Sequence, residues 1–114
     1  MNPGEIVLIK FPFTDLESTK KRPALVVQHT KLSPKIQMCI VAMVTSKIDG
    51  LKFPGDVLLK EWKNAGLLNP SIVRLSKLVT VDFPLIDQKL GSLGKSDLSA
   101  VSLELNKQFS FWLK

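Results

Sequence analysis

The chain has 114 residues, 45% of them hydrophobic, and 16 Lys and Arg against 10 Asp and Glu give it a net charge of +6. That length suits one domain over residues 1–114, with enough apolar residues to form a core without disulfides. A single cysteine, Cys39, and a single histidine, His29, exclude an intrachain disulfide and a structural Cys/His zinc site, while the positive balance favours a polyanionic partner or simply serves solubility.

At the N-terminus, Pro3, Gly4 and Glu5 interrupt any leader-like pattern of charge followed by an apolar run. The apolar stretches are all too short for a membrane-spanning helix. The expectation is therefore a cytoplasmic protein with no membrane contact. Glu5 to Phe13 (EIVLIKFPF) is rich in β-branched and aromatic residues and predicts a strand that ends, or sits at an edge, where Pro12 lacks a backbone donor. Thr14 to Arg22 is polar and predicts an exposed loop. Pro23 to Thr30 (PALVVQHT) predicts a second strand, and Ser33-Pro34 a turn. Ile36 to about Thr45 (IQMCIVAMVT) predicts a third strand, with Cys39 a buried, inert thiol in its middle.

Asp49-Gly50 and Pro54-Gly55 mark Ser46 to Gly55 as a loop before a short strand, Asp56 to Leu59. Lys60 to Ala65 predicts one or two helical turns closed by Gly66. Ser71 to Ser76 and Lys77 to Phe83 read as extended chain up to Pro84. The last segment changes period. Ser96 is the expected N-cap with Asp97 at the first helical position, and Leu98, Val101, Leu105, Phe109 and Trp112 then recur at helical spacing. That stripe is expected to pack as core, with a partner-binding face as the other reading. Short apolar strands of this kind avoid exposed edges by curling up. The fold class is therefore mainly β: a small SH3-like barrel of roughly five to seven strands with a short helical insert and a C-terminal α-helix.

Three segments near the start carry a resemblance: Gly4-Glu5-Ile6-Val7, Phe11-Pro12-Phe13-Thr14-Asp15 and Arg22-Pro23-Ala24-Leu25-Val26-Val27. Further on are Val44-Thr45-Ser46-Lys47, Gly66-Leu67, Ser71-Ile72-Val73-Arg74, Lys77-Leu78, Thr80-Val81-Asp82 and Leu90-Gly91-Ser92-Leu93. Taken in order, the set resembles the MazF/PemK toxins over nearly the whole chain. The resemblance implies a homodimer, a cognate antitoxin, and a metal-independent endoribonuclease that needs no cofactor and cuts single-stranded RNA. Such cleavage uses the neighbouring 2′-hydroxyl as nucleophile, a group that also distinguishes RNA from DNA.

By that resemblance Arg22 is the catalytic arginine, whose planar fork suits a phosphate in its transition state. Thr45 is expected to hold a phosphate oxygen or relay a proton, with Ser46 assisting. Arg74 matches an arginine that relatives use beside an acid. Two residues on, where an aspartate is common in the family, stands Ser76, an unassisted serine that makes a poor base. Lys77 and Val79 also depart from the pattern, so RNA sequence preference does not carry over. Lys20, Lys21 and Lys47 are candidates for phosphate contacts, or else solvated loop lysines. Lys77 and Ser76 complete the candidate RNA-binding set. Phe13 or Phe53 would serve to stack a base if exposed, or to pack the core if not, and Trp62 is equally ambiguous. Ser76 keeps a second reading open, a catalytically weak or inactive RNA- or protein-binding barrel of the same family. A Ser-His-Asp hydrolase is disfavoured because His29 has no evident Ser and acid partners.

Overall fold

The computed structural model describes residues 1–11 and 20–113. The expectations resting on Pro12, Phe13, Thr14 and Asp15 lie outside the described residues. Aliphatic and β-branched residues build six strands: β1 (Glu5–Phe11), β2 (Lys20–Ser33), β3 (Ile36–Thr45), β4 (Asp56–Leu58), β5 (Ile72–Asp82) and β6 (Ile86–Ser92). One helix, α1 (Lys95–Gln108), follows them. All strand pairs are antiparallel, and the order in the sheet is β4-β5-β3-β2-β1-β6. The fold is thus mainly β with a C-terminal helix, as the sequence implies.

Alternation along the strands buries both faces of the sheet. Ile6, Leu25, Ala42, Val44, Val73 and Leu75 join one cluster with Leu59, Leu67 and the helical Val101. Val7, Ile9, Ala24, Val26, Cys39, Val41 and Val81 form the other. Cys39 is fully buried, and that burial pushes its thiol pKa up, which makes it the inert thiol expected.

The ends of the sheet meet through the segment between β4 and β5 rather than through a hydrogen-bonded strand pair. Gly66 has φ +81° and lies so close to β6 that a Cβ there would run into the carbonyl of Leu90. Gly91 approaches Ala65 equally tightly, with 2.6 Å left for a Cβ. Only glycine tolerates this combination of positive φ and backbone contact.

Four local expectations differ from the structure. Lys20, Lys21 and Arg22 belong to β2 and not to a loop, because they pair with Phe11, Lys10 and Ile9 of β1. Lys60–Ala65 forms hydrogen-bonded turns, with Ala65 N donating to Glu61 O at 3.2 Å, and the short helical element is instead a 3-10 turn at Phe83–Leu85. The N-cap of α1 is Gly94, not Ser96. Asp97 is fully buried and turns away from its own helix to accept hydrogen bonds from the backbone of Lys60 and Glu61, both at 2.9 Å. The helical stripe is split: Val101 is buried and Leu105 partly so, whereas Leu98 is 44% and Trp112 78% exposed. No helix among the described residues is long and apolar enough to cross a membrane.

Candidate functional site

The β2–β3 hairpin opens at one end into a cleft of about 650 Å³. Its geometry follows from strand register. Ala24 of β2 pairs with Met43 of β3, and two residues further out on each strand stand Arg22 and Thr45. Thr45 in turn pairs with Ile72 of β5, and Met43 with Arg74. Three neighbouring strands therefore deliver Arg22, Thr45 and Arg74 to one end of the sheet, and all three line the cleft.

A bulge in β5 completes the wall. Ala42 pairs with Leu78 and Met43 with Arg74, so residues 75–77 have no counterparts on β3. The irregularity breaks the alternation that would have put Arg74 and Ser76 on one face. Lys77 lines the cleft and Ser76 does not. Lys21, Ser46 and Lys47 line it too, whereas Lys20 does not. The cleft thus gathers five cations, Lys21, Arg22, Lys47, Arg74 and Lys77, and no carboxylate among its described lining residues. Lys21 also forms an ion pair with Asp87 at 3.2 Å, exposed enough to be weak.

Thr45 accepts a hydrogen bond at Oγ1 from the backbone N–H of Lys47 at 3.1 Å. A hydroxyl that accepts there still has its own proton to donate. Arg74 is in a different state. Its Nε and Nη2 donate to the two carboxylate oxygens of Asp56, each at 3.0 Å, and Nη2 donates also to the Leu51 carbonyl at 2.8 Å. These bonds leave Nη1 for other partners. Burial alone would push the Asp56 carboxyl up. The Arg74 hydrogen bonds, the Phe53 N–H and nearby positive charge outweigh it and hold that carboxyl below the usual carboxylate range. The same bonds push the Arg74 pKa further up.

Asp56 is the partner that reading the sequence missed. It is 18 residues from Arg74, and only the β4–β5 register sets the two opposite each other. Leu68, Asn69 and Ser71 of the β4–β5 connection also line the cleft without having been singled out. Ser71 is already engaged, since its Oγ donates to the Asn69 carbonyl at 2.8 Å. His29 lies elsewhere, with Nε2 3.0 Å from Gln37 Oε1 and its ring stacked on Phe83. Trp62 packs against the first core cluster, which resolves its ambiguity in favour of packing. No group of three or more His, Cys, Asp or Glu side chains suited to a metal occurs among the described residues.

A six-stranded antiparallel sheet with a C-terminal helix and a cationic cleft at one end of its central hairpin is a recognisable class. The chain belongs to the family of PemK-like, MazF-like toxins of type II toxin–antitoxin systems, whose model matches residues 2–109. Among solved structures it is similar to the Mycobacterium tuberculosis toxin MazF-mt6, with a TM-score of 0.69 and 22% identity over 96% of this chain and 97% of that one. It is also similar to an endoribonuclease in complex with its cognate antitoxin from mycobacterial species, with a TM-score of 0.63 and 10% identity over 96% and 95% of the two chains. At such identities the likeness concerns the fold. No curated protein sequence matches the chain.

Proposed function

We propose that this chain, as a single domain over residues 1–114, is the toxin of a toxin–antitoxin pair and a metal-independent endoribonuclease acting on single-stranded RNA in the cytoplasm. The observation that carries the reading is that Arg22 and Thr45 line one cleft whose charged groups are all cationic among the described residues. Phosphate is bound directly by such a set. In the reaction the 2′-oxygen attacks the adjacent phosphorus, the O2′–P bond forms and the P–O5′ bond breaks. The 2′-hydroxyl proton passes to solvent, and the leaving 5′-oxygen takes one up.

Arg22 stabilises the charge that builds on the non-bridging oxygens. Thr45, steadied by the Lys47 N–H, donates its hydroxyl proton to one of those oxygens and so orients the phosphate. Lys21, Ser46, Lys47 and Lys77 hold flanking phosphates, and Arg74 contributes through the nitrogen that Asp56 leaves free. Lys20 and Ser76 stand outside the lining and take no part in this reading. A homodimer and inhibition by a cognate antitoxin accompany it. The antitoxin is supported by the family and by the related endoribonuclease, which is described in complex with its antitoxin, while the homodimer is what the family resemblance implies.

A second reading, a barrel that binds RNA or protein with little or no chemistry, is favoured by one observation. No carboxylate stands among the described lining residues to act as general base. The test is cleavage of single-stranded RNA in the presence of a chelator. Wild-type protein is expected to cut, and Arg22→Ala to lose roughly 100- to 1,000-fold in rate, as expected when a group that stabilises transition-state charge is removed, with an unchanged fold. RNA left intact by wild-type protein that still binds it would establish the binding-only reading.

A further inference from the structure

Phe53 sits on the loop between β3 and β4, the same loop that supplies Ser46 and Lys47 to the cleft. Its ring lies over the Arg74 guanidinium, 4.5 Å from the Cζ carbon to the ring centroid. Its backbone is fastened as well: Phe53 N donates to Asp56 Oδ2 at 3.0 Å, and Asp56 N donates to Phe53 O at 3.0 Å. The guanidinium beneath the ring is itself held by Asp56 and by the Leu51 carbonyl. Yet Phe53 remains 41% exposed. An aromatic side chain is usually either buried for its apolar area or, when exposed, free to change rotamer. This one rests against a cation and is still open to solvent. Support of that kind before binding lowers the ordering cost that a surface side chain meets when it receives a ligand.

Resting on the RNA-cleaving reading above, we infer that Phe53 is a stacking platform for a nucleobase of single-stranded RNA, fixed at the rim of the cleft by the Arg74–Asp56 pair. Arg74 lines the cleft and also carries the Phe53 ring against its guanidinium. The platform is therefore one side chain away from the groups that hold phosphate. A strand with its phosphates in the cleft brings a base to the rim, because base and phosphate project from the same sugar. Stacking on an aromatic face accepts any base, so the site senses that a base is present and does not read its hydrogen-bonding edge. The competing role for Phe53 is to cover the Arg74–Asp56 ion pair against water.

The experiment uses 2′-O-methyl oligoribonucleotides, which lack a free 2′-hydroxyl and cannot be cut, carrying 2-aminopurine at each position in turn. With wild-type protein, one position is expected to lose fluorescence on binding as that base stacks. Phe53→Leu, which keeps an apolar cover, is expected to abolish the change and weaken binding roughly tenfold or more. Phe53→Trp is expected to retain both. The platform is overturned if no position responds, if the oligonucleotides fail to bind wild-type protein, or if Phe53→Leu binds like wild type. A lowered melting temperature with unaltered binding would assign Phe53 to covering the ion pair and overturn it too. The two readings part cleanly in cleavage assays with natural RNA. A responding base with uncut RNA leaves the platform standing without catalysis. RNA cut equally well by Phe53→Leu leaves catalysis standing without the platform.

Discussion

Two side chains at the cleft, Thr45 and Arg74, have partners that define what they can do. The Thr45 hydroxyl is oriented by a backbone N–H, so replacing it with the near-isosteric valine removes one donor to phosphate and leaves the exposed Lys47 N–H to water. Thr45→Val is expected to lower the single-turnover cleavage rate by about a hundredfold, at the low end for removing a positioned donor, with circular dichroism unchanged. Asp56 acts on stability as well as on Arg74. Its pKa is depressed in the fold, so the stability it contributes is fully present above the unfolded carboxylate value, about 3.9. That stability is lost as pH falls through the lower folded value. Thermal melting of the wild type should therefore drop as pH falls below about 4. The Asp56→Asn protein should be less stable at neutral pH and show a smaller acid-induced drop. Equal slopes for the two proteins would mean that the pair contributes nothing to folding.

Among the elements, α1 and the β4–β5 connection hold each other through Asp97. Asp97→Ala leaves the N–H groups of Lys60 and Glu61 without their carboxylate and is expected to cost about 1.5–3 kcal/mol in urea unfolding, as for hydrogen bonds to a charged group. Gly66→Ala is expected to be more severe, since it combines a positive φ with a collision against β6 backbone. Failure to accumulate as soluble protein would be the simplest readout. The same elements show what a sequence can disclose. The strands β2 and β3 were legible because their apolar residues run continuously between turn dipeptides. β6 was not, because Ile86–Ser92 is largely polar and pairs with β1 through two register shifts. Arg22 and Thr45 could be picked out by family resemblance, since each sits in a local motif. The Arg74–Asp56 pair could not, since neither local motif nor spacing links residues that only a cross-strand register brings together. Ser76 entered the candidate set through the family pattern, but the β5 bulge leaves it outside the lining and brings Lys77 in.

At the scale of the molecule, five cations and no carboxylate line the cleft among the described residues. Affinity for single-stranded RNA should fall as salt rises, with a log–log slope near 0.7 for each phosphate neutralised. Replacing Lys47 and Lys77 together by alanine should make that slope shallower by roughly one to two units. An unchanged slope would place the bound strand elsewhere. At the opposite extreme of exposure, Cys39 is fully buried with a raised pKa. It should resist a maleimide in native buffer and react once urea exposes it, so labelling would report global opening of the sheet.

The approach of Gly66 to Leu90 carries a consequence for how this chain tolerates change. Gly66 and Leu90 belong to the closing seam and also to the wall of the cleft. Loosening the seam slightly would spread that wall and widen the cleft that Arg22 also lines. A milder change on the other side of the contact, such as Leu90→Val, should thus leave a folded protein with a slackened grip, whereas a side chain at Gly66 itself would cost the fold.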